Sequence, residues 1–197
     1  METLVTVLIG ISLSAAAGLR LLIPFLAMSL AGLVGHFPLT DNLQWLDTPT
    51  ALAGLGIAVL IETVIYYIPW LDHLLDLIAL PAAMVAGTLI TAAFSADLDL
   101  QPFWQWSLAI IAGGGTAGAM KGLSGLTKVA STATTGGLAN FIVTTLELLT
   151  ALGLSALAIL VPTLAVIAML ALLIVLLARV GWRFWQRRQV AKLGLMD

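Results

Sequence analysis

Ser14-Ala-Ala-Ala-Gly-Leu-Arg20 and Gly115-Thr-Ala-Gly-Ala-Met-Lys121 are two runs of small residues, each closed by a hydrophobic residue and a cation. Each is followed by a short segment, then by an apolar stretch with a single acid (Glu62; Glu147), then by a proline suited to opening a helix (Pro81; Pro162). The order cation, acid, proline therefore occurs twice. It divides the chain into a first repeat over 1–100 and a second over 101–197. If each repeat contributes three full crossings of a membrane, an odd number, the second must be inverted relative to the first. That is the architecture of many secondary transporters, whose sites form at the repeat interface from interrupted helices.

The membrane premise comes from composition. Of 197 residues, 61% are hydrophobic and 9% charged, whereas soluble domains run nearer half apolar and a quarter charged. No polar stretch is long enough for a separate soluble domain, so the fold expected is a single all-α membrane domain. Stretches 2–18, 50–67, 81–95, 103–119, 138–158 and 162–182 read as six full spans of roughly the length a bilayer requires. Segments 21–35 and 120–135 are left as short, interrupted or re-entrant pieces. If both cross, the count is eight and the termini stay where they were. Arg179, Arg183, Arg187, Arg188 and Lys192 lie in the last nineteen positions, and the positive-inside rule places that end in the cytoplasm. An even number of spans then puts both termini there. Met1-Glu2-Thr3 carries no basic residue, which argues against a cleaved signal peptide.

Several classes of function fall away. The absence of cysteine removes disulfide frameworks and thiolate chemistry. No P-loop, dinucleotide fingerprint or zinc motif is present, so neither an enzyme nor a bound cofactor is expected. The basic tail suits anionic lipid headgroups better than nucleic acid. Gly122-Leu-Ser-Gly125 resembles the nucleophile motif of rhomboid-type proteases, but a serine needs a positioned base, and both histidines, His36 and His73, precede it. Asp72 and Asp76 share a helix face with His73 alongside, a set that could bind a divalent ion; a solvated face of an interfacial helix explains it more cheaply. No metal is expected.

What remains is a short set of ionisable residues at membrane depth, where charge is costly and usually faces a partner or a cavity. Glu62 lies roughly 18 Å along its helix, and Glu147 is similarly remote from helix ends. They suit a proton or cation site, or structural pairs, Glu62 with Lys121 or Lys128 and Glu147 with Arg20. Arg20 and Lys121 stand where the small-residue helices are expected to break. Backbone N–H groups at a following helix start attract anions, and Ser124, Thr127 and Lys128 would add donors. The leading expectation is a small transporter or channel for a small anion or anionic headgroup, bound by Arg20, Lys121, Ser124, Thr127 and Lys128, with Glu62 and Glu147 coupling or pairing. The competitors are a proton- or cation-coupled transporter using the glutamates, and a non-transporting membrane scaffold or assembly protein. The lipid bilayer is the one partner composition demands; a homo-oligomer is compatible with so small a unit.

The run Ser14-Ala-Ala-Ala-Gly-Leu-Arg20-Leu-Leu-Ile-Pro24-Phe25, with Gly118-Ala-Met-Lys121 and the Ser/Thr-rich segment after it, is similar to a family of small bacterial integral membrane proteins catalogued as a domain of unknown function. The resemblance implies a bacterial, multi-pass protein of the cell (inner) membrane. It supplies no activity and no functional residues.

Overall fold

In a computed structural model, residues 2–35, 37, 39–136 and 139–192 are described. Among them the chain is all-helical and contains no strand. The α-helices are α1 (Glu2–Leu19), α2 (Ile23–Leu33), α3 (Pro49–Tyr66), α4 (Pro69–Phe94), α5 (Pro102–Leu108), α6 (Gly115–Thr135), α7 (Asn140–Leu160) and α8 (Pro162–Lys192). Three stretches, Pro49–Tyr66, Asn140–Leu160 and Pro162–Arg179, are long and apolar enough to cross a membrane, and Leu4–Leu19, Ile23–Leu33 and Ile78–Phe94 are shorter apolar helices. The outward faces of α3, α7 and α8 carry Ile57, Leu60, Val64, Ile142, Leu149, Leu164 and Ile174. Apolar surface on this scale belongs in lipid, and the chain is a membrane protein.

Prolines set most of the helix starts, because a first-turn proline gives up no hydrogen bond. Pro49 follows Thr48, whose hydroxyl accepts from the Ala51 N–H at 3.2 Å. Pro162 opens α8 with only Val161 between it and the end of α7. Pro24 does more. Its missing N–H is the group that would bond the Arg20 carbonyl, and its ring clashes with that carbonyl in a continuous helix. The chain accordingly leaves the helix at Arg20 and restarts at Ile23.

The matching position after Lys121 is Gly125, and no break occurs there. The expected short segment over 120–135 is corrected. From Pro102 the chain runs as α5, a π-helical stretch over Ala109–Gly114 and α6 to Thr135 without interruption, about 50 Å at helical rise. It stops at Gly136, in the left-handed region with φ 62°, as glycine permits after a helix. Pro81, expected to open a helix, lies inside α4.

α1 is the centre of the bundle, packed on α4, α6, α7 and α8, and Leu13 to Ala17 are buried. Its small residues allow that, since lipid supplies no hydrophobic drive between helices and close van der Waals approach replaces it. The Ser14 hydroxyl lies 2.8 Å from the carbonyls of Gly10 and Gly87 and 3.0 Å from the Thr91 hydroxyl. Gly87 and Gly113 bring α4 and the π stretch together so closely that a methyl on either would overlap the other's carbonyl.

α1 and α2 form a hairpin. A methyl on Gly10 would come within 3.0 Å of Phe94 Cβ, and Phe37, just beyond α2, stacks on the Phe94 ring at 5.8 Å. Both arms therefore return to the same end of the bundle, with residues 20–22 as the tip. The halves do not pack alike: α7 lies against α1, α2, α6 and α8, whereas α3, which carries the corresponding acid, packs on α2 and α4.

Candidate functional site

The hairpin tip is where the charges meet. Breaking the helix exposes the N–H groups of Leu21 and Leu22, and an apolar interior gives them no water. Glu62, one turn before the end of α3, satisfies both: its Oε1 accepts from Leu21 N at 3.0 Å and its Oε2 from Leu22 N at 3.3 Å. One turn further on, Tyr66 sits beneath three cations. The Arg20 guanidinium carbon is 4.1 Å from the ring centroid, Lys128 Nζ 4.6 Å and Lys121 Nζ 5.0 Å. The aromatic face attracts such charges, most strongly where they are desolvated.

α6 supplies Lys121, Ser124 and Lys128, spaced to share one helix face. Lys121 Nζ is 3.2 Å from the Tyr66 hydroxyl and 2.8 Å from Asp76 Oδ1. Lys128 Nζ lies 3.6 Å from Asp76 Oδ2 and 3.7 Å from Glu147 Oε2. The Ser124 hydroxyl donates to Glu147 Oε1. Arg20, Lys121, Lys128 and Glu147 are all 5% exposed or less, so each depends on its partners to offset desolvation. Counting Glu62 and Asp76, three cations face three carboxylates and the cluster is neutral when fully ionised.

Arg20 is the exception within that balance. It is 1% exposed, and its Nη2 donates to the Thr144 carbonyl at 3.0 Å. Its Nε and Nη1 have no hydrogen-bond partner among the described residues. Buried donors are nearly always satisfied, so two unfilled guanidinium nitrogens are unusual.

Two cavities adjoin the cluster. One, about 330 Å³, lies among α1, α3, α4 and α6 and is lined by Leu21, Leu22, Glu62, Tyr66, Lys121 and aliphatic residues as far as Ala58 and Ala83. The other, about 610 Å³, is lined by Asp76, Lys121, Gly125, Lys128, Thr132 and Asn140. Among the described residues, Lys121 is the one common to both linings. The Tyr67 hydroxyl, just beyond α3, is 2.9 Å from that of Thr145, and the Tyr67 ring lies tilted against Phe141 at 4.9 Å, which ties the α3–α4 turn to the start of α7.

Of the residues expected at a site, Arg20, Lys121, Ser124, Lys128, Glu62 and Glu147 do converge. Their pairing differs from the expected pairs: Glu62 holds backbone amides, Glu147 holds Lys128 and Ser124, and Arg20 holds a carbonyl. Thr127 lines neither cavity; its hydroxyl returns to the Leu123 carbonyl of its own helix at 2.9 Å. Lys121 sits within a continuous helix rather than at a break. Asp76 is no solvated residue of an interfacial helix but the acid that Lys121 and Lys128 share, and Tyr66 was not anticipated. The i, i+3, i+7 spacing of Lys121, Ser124 and Lys128 was a legible signal for one face; nothing in the sequence paired that face with Asp76. The side chains of Asp72 and His73 lie outside the described residues, and no group of three potential metal ligands occurs among the described ones.

Comparison with curated proteins and with solved structures yields no match. A family model does match, over residues 7–183, nearly the whole of the cluster-bearing bundle. The chain belongs to the family described as Domain of unknown function (DUF4126).

Proposed function

We infer that the protein is a small multi-pass transporter of the inner membrane, moving a small anion or anionic headgroup past the charged layer. The observation that carries this reading is the pair of cavities that adjoin the charged cluster and share Lys121 among their described lining residues. Polar groups in a membrane interior are tolerated where they line a cavity, and interrupted helices around a central site are the usual architecture of secondary transporters. The Lys121–Asp76 pair is the barrier between the cavities. An anion reaching it competes with Asp76 for Lys121. The basic residues from Arg179 onward support a cytoplasmic C-terminus.

The scaffold reading has one observation in its favour, the direct pairing of Lys121 and Lys128 with carboxylates. Thiol access separates the two, and the native chain has no cysteine to interfere. Cysteines are placed singly at Ala82 in the smaller cavity and Ala133 in the larger, and proteoliposomes are treated with a membrane-impermeant maleimide from one side at a time. The transporter reading expects labelling from opposite sides, together with an anion flux that Lys121→Ala changes. Labelling of both from one side, with no flux above that of empty liposomes for any anion in a panel of halides, phosphate and carboxylates, refutes it.

A further inference from the structure

The 610 Å³ cavity is a groove between α4 and α6. The two helices touch where Met84 meets Gly118, at which a methyl would come within 2.8 Å of Met84 Cγ. One turn further along α6 there is open space: methyls on Gly122 and Gly125 would meet nothing within 4 Å, and both glycines line the cavity. Its other apolar walls are Leu80, Val129 and Ala133, and Leu80 and Val129 belong to the exposed apolar surface of the bundle. The floor is therefore smooth and apolar, and its outer edge lies on the surface that faces lipid.

At its inner end the groove meets the charged cluster. Asp76 stands two turns into α4 and Lys128 two turns before the end of α6, roughly 10 Å from those helix ends. The apolar part of α4 beyond Asp76, Ile78–Phe94, is roughly 25 Å long, close to the thickness of the hydrocarbon core. The charges thus lie at the margin of the hydrocarbon, the depth at which phospholipid headgroups join their chains. Two signs of charge face the groove side by side. The Asp76 side chain is 29% exposed against 5% for Lys121 and for Lys128, and Lys128 Nζ lies 3.6 Å from it. Thr132 and Asn140 complete the polar wall; the Asn140 amide gives one N–H to the Thr132 hydroxyl and carries a second. The cluster is neutral when fully ionised, so an anion bound here would leave a net charge at the edge of the hydrocarbon, which is costly, whereas a zwitterion leaves none.

We propose that the groove between α4 and α6 holds one phospholipid whose headgroup carries a primary ammonium. The ammonium donates to Asp76, the phosphate accepts from Lys128 and Asn140, and one acyl chain lies over Gly122, Gly125 and Val129. The site goes beyond the transporter reading and stands without it, since a lipid held at the rim of the larger cavity need not pass through. A trimethylated ammonium has no N–H to give Asp76, and a glycerol headgroup leaves the phosphate charge unbalanced, so lipids of either kind bind less well.

Full-length protein, delipidated in detergent, is titrated with dioleoyl phospholipids headed by ethanolamine, choline or glycerol, and native mass spectrometry counts the lipids retained and the copies of the chain. Wild type is expected to retain one ethanolamine lipid, with an affinity about tenfold above that for the choline lipid, the worth of one charge-assisted hydrogen bond, and above that for the glycerol lipid as well. Gly125→Leu fills the groove from its open side and is expected to abolish retention, whereas Gly54→Leu, equally open but on α3, leaves it unchanged. Asp76→Asn is expected to erase the preference over the choline lipid. Glycerophosphoethanolamine, the same headgroup without chains, is not expected to compete at matched concentration. Equal retention of the three lipids by wild type overturns the proposal, as does tighter retention of the glycerol lipid, or retention by Gly125→Leu at the wild-type level. Competition by the chain-free headgroup as strong as by the lipid would assign the site to a soluble ligand, and a lipid-free dimer that Gly125→Leu dissociates would assign the groove to a second copy of the chain; either result also overturns it. Should Asp76→Asn not fold, the lipid series and Gly125→Leu decide.

Discussion

Asp76→Asn tests whether the charged layer is held together as its geometry implies. Asp76 is 2.8 Å from Lys121 Nζ and 3.6 Å from Lys128 Nζ. At an effective dielectric of about 20, the nearer attraction alone is on the order of 6 kcal/mol before desolvation is counted. Breaking a buried pair costs about 3–5 kcal/mol, because the surviving charge stays buried without its partner. The Asp76 side chain is 29% exposed, so solvent screens part of the loss, and Lys121 keeps the Tyr66 hydroxyl while Lys128 keeps Glu147. The expected destabilisation is about 2–3 kcal/mol. Lys121→Met should cost less, since it leaves Asp76 near Lys128 and water. In the double variant the losses should fall short of their sum by at least about 1 kcal/mol. The assay is reversible unfolding in mixed detergent micelles, followed by the fluorescence of the six tryptophans. Strict additivity, within about 0.5 kcal/mol, would mean that the two residues do not interact, and the barrier between the cavities would lose its physical basis.

Two further outcomes can be read from the same unfolding measurement. Gly113→Ala places a methyl against the Gly87 carbonyl and the Thr91 side chain and should cost about 1–3 kcal/mol through overpacking, whereas Gly54→Ala, with open space around it, should be neutral or stabilising by up to about 1 kcal/mol; equal effects would contradict the close α4 crossing. Tyr66→Phe removes one hydrogen bond to Lys121 and keeps the ring under the cations, for a loss of about 1 kcal/mol, while Tyr66→Leu should lose roughly 1–2 kcal/mol more as the cation–π contacts go; a phenylalanine variant as unstable as the leucine one would assign the effect to the hydroxyl alone.

The break at Arg20 was legible because Pro24 follows it by four residues, the spacing at which proline removes a helical hydrogen bond. The same test applied at Lys121 finds Gly125 and predicts continuity, which the small-residue likeness of the two runs obscured. Pro81 misled in the opposite direction. A proline interrupts one backbone bond, and α4, long and packed on α1 and the π stretch, continues through the gap. Asp76 was misjudged because an acid among leucines, with Asp72 and His73 nearby, has the local pattern of an exposed face. Its two lysines lie more than forty residues away in sequence.

Composition and pattern alone determined that the chain lives in a membrane, that it is helical, and that few ionisable residues, Arg20, Glu62, Lys121, Lys128 and Glu147 among them, stand within its apolar stretches. These follow from the cost of placing charge and unsatisfied backbone in hydrocarbon, a constraint each residue meets locally. Tertiary structure decided the hairpin of α1 and α2, the pairing of Glu62 with backbone amides, the role of Asp76 and the two cavities that meet at Lys121. Those depend on which helix faces approach one another, and in lipid that choice is made by the fit of small residues such as Ser14, Gly18, Gly87 and Gly113. Hydrophobicity, which every face here shares, cannot make it.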